Sequence, residues 1–374
     1  MHKNIYLALI GIGIGGIGFG LVTPVTVMLL EQNGASSFLT GSVTMIGYLS
    51  IVFFSSYTGR LIDKYKVKKI LLAGLTIWML GALAHVFWYV YPILFPVKFI
   101  MGIGGTFIFV STEVMINYYS NETNRGKNIS LYVVLLSVGV AFGTLLIWTI
   151  TIADWFPFVI GSSIMFLVLV FEYFILDDFE IKSVNEPREK MRISEMPLMG
   201  LVAGIIYGLF ESSIIVALPL FGLRNLFSTE EVSFFLASFV IGGVVLLYII
   251  GHIADKINKF RLLLYISFIL AILFIVPIFL SGFGYLLAAF FVMGGIVPAF
   301  YTVGLNYTVE KVDKKFMAQA NGFFVMMYGV GTIAGPLAGS MMVEIDKQYG
   351  YWVLASGLCI LFLLFFVKYS DSGK

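Results

Sequence analysis

The sequence predicts an all-α membrane protein of twelve transmembrane helices in two homologous six-helix bundles, with both termini in the cytoplasm. Three observations predict it. Of the 374 residues, 60% are hydrophobic and only 12% charged, with a mean hydropathy of +0.99; soluble domains carry about 25% charged residues. Twelve apolar segments are long enough to cross a hydrocarbon core of about 30 Å. Related stretches also recur at a single offset of 192 residues, as from Gly59 to Gly251.

The first segment, 5–30, holds "GIGIGGIGFG", whose Gly11, Gly13 and Gly16 spell the G-x-G-x-x-G of a dinucleotide-binding turn. The helix after such a turn should show a charged face. Instead 27 uncharged residues separate Lys3 from Glu31, with Pro24 among them. That is a membrane helix, and its glycines let neighbouring backbones approach. It exceeds a signal peptide in length and no small-residue cleavage site follows, so it reads as a retained span. The later segments are 38–58, 69–91, 93–117, 129–151, 156–176, 198–221, 232–251, 261–281, 284–307, 317–343 and 349–368. A β-barrel would show alternating segments of about ten residues, which excludes that class. One polar break, Asp177 to Met196, holds ten charged residues. It divides an N-terminal bundle (1–176) from a C-terminal one (198–374), with 177–197 a cytoplasmic linker. The single cysteine, Cys359, excludes a disulfide framework, and His2, His85 and His252 are too scattered for a metal site.

Basic residues set the orientation. With the N-terminus inside, Lys3, the Arg60–Lys69 cluster, Arg125, Lys127, the linker, Lys256, Lys259, Arg261, Lys311, Lys314, Lys315, Lys368 and Lys374 are cytoplasmic, which is 20 of the 23. Outside loops keep only Arg224 and Lys347. Trp88, Tyr89, Tyr91, Trp155, Tyr349 and Trp352 read as an outer aromatic belt, and His85 as interfacial.

"GRLIDKYKVKK" begins at Gly59 and "GHIADKINKFR" at Gly251, so Asp63 and Lys64 map onto Asp255 and Lys256. The same offset carries Gly102 onto Gly294, and Gly139 and Gly143 onto Gly331 and Gly335. Two such halves imply a duplicated bundle around a cavity. Gly59 should let span 2 pack against a neighbour, and Asp63 should meet basic groups or a helix N-terminus.

This repeated stretch resembles the motif A gating loop of the major facilitator superfamily, along essentially the full chain. "KFIMGIGGTFIFVSTEVMINYYSNETNRGKNISLY", with its "NRG" loop at Arg125, and "GVGTIAGPLAG" resemble the YcaD/YfkF-like branch. The resemblance implies alternating access about a central site. Two features depart from the superfamily's drug antiporters. They carry G-x-x-x-G-P in span 5, where Gly143 precedes Thr144 here; the G-P pair is Gly335–Pro336 in span 11. Span 4 has Lys98 where arginine is common.

Ionisable residues inside a membrane point to function by default. Lys98 recurs with Gly102, Gly105, Phe109 and Thr112 on one helical face, which suggests a substrate cavity; the alternative is snorkelling. Glu172, near the inner end of span 6, reads as structural. Glu113 lies close in sequence to Arg125 and Lys127, as a gating salt bridge or a proton-coupling acid. Glu211 joins Gly200, Gly204, Tyr207 and Gly208 on a stripe of span 7, about 20 Å along its helix. It is the first proton-coupling candidate, with Tyr207 a cavity residue; the alternative is a fixed glutamate bonded to a tyrosine or to Lys98.

The resulting expectation is a monomeric secondary transporter in the cytoplasmic membrane, exporting a small molecule by proton coupling. It needs no cofactor, metal or nucleic acid, and no Walker A motif supports ATP use. The alternatives are proton-coupled uptake of a nutrient or small anion, and a non-transporting receptor or assembly partner. Serine–base pairs and His/Asp/Glu clusters at catalytic spacing are lacking, so an intramembrane enzyme is not expected.

Overall fold

A computed structural model describes residues 3–121, 124–177, 191–254, 257–313 and 316–371. Among them lie thirteen α-helices, three short 3-10 turns and no strand. The helices are α1 (Lys3–Gln32), α2 (Ser37–Tyr65), α3 (Val67–Ala84), α4 (Tyr91–Tyr119), α5 (Arg125–Leu145), α6 (Phe156–Ile175), α7 (Leu198–Arg224), α8 (Thr229–Ala254), α9 (Lys259–Phe279), α10 (Phe283–Ile296), α11 (Ala299–Glu310), α12 (Met317–Ile345) and α13 (Gly350–Asp371). They supply twelve segments long and apolar enough to cross a membrane. Helices suit this composition because each satisfies its own backbone hydrogen bonds where water is absent.

The tenth span is two helices, α10 and α11, interrupted at Val297–Pro298. Proline has no N–H to give and crowds the preceding turn, so the single helix expected over 284–307 breaks there. The Gly59–Lys69 stretch is not a free loop. Helix α2 runs on to Tyr65, Lys66 alone turns the chain with φ 72°, and α3 starts at Val67. Gly59 has open space where a side chain would be, so the close packing expected of it is absent. Asp63 is exposed and makes no ion pair with the described residues. In the second copy Gly251 lies in α8, while Asp255 and Lys256 fall outside the described residues.

The chain forms two compact units: Met1–Ser36 with Ile46–Glu186, and Ser37–Met45 with Pro187–Lys374. The polar break at 177–197 is described only at its ends, Asp177 and Met191–Pro197. Within the first unit α1 crosses α5, and within the second α7 crosses α12. Glycines bring these backbones together. A methyl at Gly16 would press on Leu136 and Val140 of α5, and one at Gly208 on Tyr328 and Thr332 of α12. Gly143 faces Ile17 and Leu21, as Gly335 faces Leu209 and Ser213; Gly102 faces Gly47, as Gly294 faces Phe239. Every equivalent pair is 192 residues apart. The sequence repeat is therefore a repeat of contacts, made by small residues because apolar burial gives membrane helices little reason to associate.

Three aromatic expectations need correction. His85 is 0% exposed, Trp88 6% and Trp352 0%, so none is interfacial. His85 stands 5.5 Å from the Phe158 ring, and Trp352 stacks on Phe290 at 5.6 Å, edge-on to Phe221. Each is a ring filling the interior of its own unit. Tyr89, Trp155 and Tyr349 are exposed.

Candidate functional site

Glu211 lies thirteen residues after Leu198, at the middle of α7. Gly204 and Gly208 bring that face of α7 onto α12, where Phe324 and Tyr328 stand one turn apart. The Tyr328 hydroxyl donates to Glu211 Oε2 at 2.5 Å, and Tyr207, one turn before Glu211, also hydrogen-bonds the carboxylate. Tyr207 stacks on Tyr328 with ring centres 5.5 Å apart. Tyr301 of α11 closes the group, 5.3 Å from Tyr207 and 5.6 Å from Tyr328, and Phe324 backs it at 5.2 Å. On the far side of α7, Phe210 is buried against Phe274 and Phe300. Among the described residues no lysine, arginine or histidine pairs with Glu211.

This arrangement serves both charge states of one carboxyl. An ionised Glu211 accepts from tyrosine hydroxyls, and a protonated one can donate to a tyrosine oxygen. Two of the expected residues, Glu211 and Tyr207, thus meet in one cluster. Reading the sequence missed Tyr301 and Tyr328. The signal was the repeat itself: the positions 192 earlier are Phe109 and Leu136, so both tyrosines are polar replacements in an otherwise apolar pattern.

The other candidates lie elsewhere. Lys98 of α4 is 4% exposed and donates to Thr23 Oγ1 of α1 at 3.2 Å. It does not snorkel, and no carboxylate pairs with it among the described residues. Glu113 is exposed and hydrogen-bonds Tyr132 of α5. Its expected bridge to Arg125 is not made. The Arg125 guanidinium donates to Asn117 Oδ1 at 2.8 Å, one turn further along α4. Glu172 is buried at 3% exposure against Gly11 of α1, and its Oε2 has no partner among the described residues.

Comparison with known proteins supplies the family. The Major Facilitator Superfamily model matches residues 8–202 and again 200–374. The chain belongs to the Major Facilitator Superfamily. Within that superfamily it resembles the MFS-type transporter YfkF of Bacillus subtilis (strain 168), with 24% identity over 91% of this chain and 89% of YfkF. It also resembles the MFS-type transporter YcaD of Escherichia coli O45:K1, with 22% identity over 98% and 96% of the two chains. Its fold matches the crystal structure of the nucleoside transporter NupG, at a TM-score of 0.78 and 15% identity, covering 98% of this chain and 99% of that one. As a superfamily member the chain is a multi-pass membrane protein that carries a small molecule by secondary transport, and is not an enzyme.

Proposed function

We propose that this superfamily member is a proton-coupled antiporter that exports a small molecule across the bacterial cytoplasmic membrane, with Glu211 as the proton carrier. The observation that carries the reading is a carboxyl at the middle of a spanning helix, held by tyrosines and, among the described residues, matched by no cation. A fixed structural carboxylate in such a place calls for a positive partner; a carboxyl that alternates between charged and neutral does not. Gly331 and Gly335 pack on Ile205, Leu209 and Ser212, within two turns of Glu211, so a change of charge there lies beside the α7–α12 crossing. The concentration of basic residues in alternate polar segments supports cytoplasmic termini.

In the cycle, Glu211 takes a proton from the outside and releases it to the cytoplasm, while the cargo moves outward. Motif A residues Gly59, Asp63, Lys64, Gly251, Asp255 and Lys256 serve the change of conformation. Tyr207 lines the route beside Glu211, and Glu113 is a second proton-binding group.

The test uses vesicles reconstituted with the protein and a compound chosen because it raises the protein's melting temperature. Glu211→Gln should abolish transport driven by a pH gradient while exchange of labelled for unlabelled compound continues. Unchanged pH-driven flux in Glu211→Gln would overturn the assignment. A reporter fused after Lys374 should be active only if it works in the cytoplasm.

A further inference from the structure

Lys98 is buried, and no carboxylate pairs with it among the described residues. Its ammonium has three hydrogens and, among the described residues, one acceptor, the Thr23 hydroxyl at 3.2 Å. His85 interacts electrostatically with it but supplies no negative charge. His85 Nδ1 lies 2.7 Å from the Gly81 carbonyl, which can only accept, so Nδ1 carries a proton; in the neutral ring Nε2 keeps a lone pair. Nε2 is fully buried and has no partner among the described residues. A cation kept from water and left with neutral neighbours is an anion site in waiting.

An aromatic floor lies next to it within the same unit. On α1, Phe19 precedes Thr23 by four residues, about 6 Å along the helix. Phe19 stacks on Phe109 of α4 with ring centres 4.9 Å apart, and Trp78 of α3 meets Phe19 edge-on at 5.0 Å. Gly105 of α4 borders the same rings: a methyl there would meet Phe109, Phe19 and Trp78 all at 3.9 Å, an ordinary contact distance. Thr23, Phe19 and Phe109 are half-buried, so the face is reachable, whereas Lys98 and Trp78 behind it are buried.

We propose that α1 and α4 form a binding site for a small aromatic carboxylate, its charge held by Lys98 and Thr23 and its ring laid on Phe19 and Phe109. The proposal names a cargo class for the transport proposed above. It does not depend on Glu211 or on the direction of flux.

The experiment is equilibrium binding to the purified full chain by titration calorimetry, with sodium benzoate, benzyl alcohol and sodium chloride as probes. Benzoate should bind saturably, with affinity at least about tenfold above that of benzyl alcohol, the margin a charged hydrogen-bonded contact provides. Chloride should compete weakly, because it fills the charge site without the rings. Lys98→Gln should lower benzoate affinity about tenfold, Lys98→Arg should retain it, and Phe109→Ala should lower benzoate affinity while leaving chloride binding unchanged. Equal binding of benzoate and benzyl alcohol, or no saturable benzoate binding at all, would overturn the proposal. Chloride binding tighter than benzoate would also overturn it, in favour of an inorganic-anion site. Should Lys98→Gln not fold, full benzoate affinity in Phe109→Ala serves as the contradicting result. Loss of pH-driven flux in Glu211→Gln with benzoate binding intact would separate this site from the proton carrier.

Discussion

The two halves share the glycine contacts that pair their helices and differ in the side chains beside those contacts. At positions 192 apart, Phe19 corresponds to Glu211, Phe109 to Tyr301, Leu136 to Tyr328 and Gly15 to Tyr207. In the first unit Phe19 and Phe109 stack with Trp78 at their edge. In the second, the same places hold a carboxyl and three tyrosines. The cation is likewise one-sided: Lys98 corresponds to Phe290, which is buried against Trp352. The glycines at the crossings, by contrast, are kept in both halves. Backbone approach tolerates no added bulk at these glycines, whereas the neighbouring side chains differ between the halves. What differs between the halves is therefore where the chemistry lies.

The largest effect should come from the shared part. Gly208→Leu drives a side chain into the Tyr328 and Thr332 backbone, and Gly16→Leu does the same at Leu136 and Val140. Each should lose about 1–3 kcal/mol or more of stability, the cost of overpacking. Melting of the purified protein should show the two losses to be alike. A large loss at one and none at the other would mean that the crossings are not equivalent.

The divergent part gives the next effect. Tyr328→Phe removes the hydroxyl that donates to Glu211 and leaves the ring, so pH-driven transport should fall by about tenfold without vanishing, as expected for a hydrogen bond to a charged group. Leu136→Tyr, which copies the tyrosine into the first unit, should change the same flux by less than about twofold. Comparable effects from both variants would remove the distinction between the halves.

The smallest effect belongs to the end of the second unit where α7 and α12 finish. There the Arg224 guanidinium lies 2.8 Å from Glu344 and 2.8 Å from the Ser37 hydroxyl, and Ser37 donates to Glu344 at 2.6 Å. The Glu344 side chain is 54% exposed, so Arg224→Gln should cost only about 0.3–1 kcal/mol, with a small drop in melting temperature. A loss as large as that of Gly208→Leu would show that this clasp holds the fold.

The spans and the repeat were legible because both rest on one-dimensional signals, namely runs of apolar residues and glycines at a fixed offset. Glu211 and Tyr207 were legible because they lie one turn apart on a single helix. Tyr328 and Tyr301 were not, since they arrive from α12 and α11 and only the helix crossings bring them to Glu211. His85 and Trp352 misled because aromatic residues at span ends look interfacial whether they point to lipid or inward. Glu113 and Arg125 misled through proximity in sequence: the turn between α4 and α5 gives Arg125 to Asn117 and leaves Glu113 to Tyr132.

The central claim is that Glu211 gains and loses a proton while the other half carries none at the matching place. Infrared difference spectroscopy tests it most directly, with the pH stepped across the range in which the protein stays folded. Wild type minus Glu211→Gln should show a carboxyl carbonyl band giving way to a carboxylate band, and the Tyr328→Phe variant should shift that band because its hydrogen bond is gone. Identical spectra for wild type and Glu211→Gln would contradict the account.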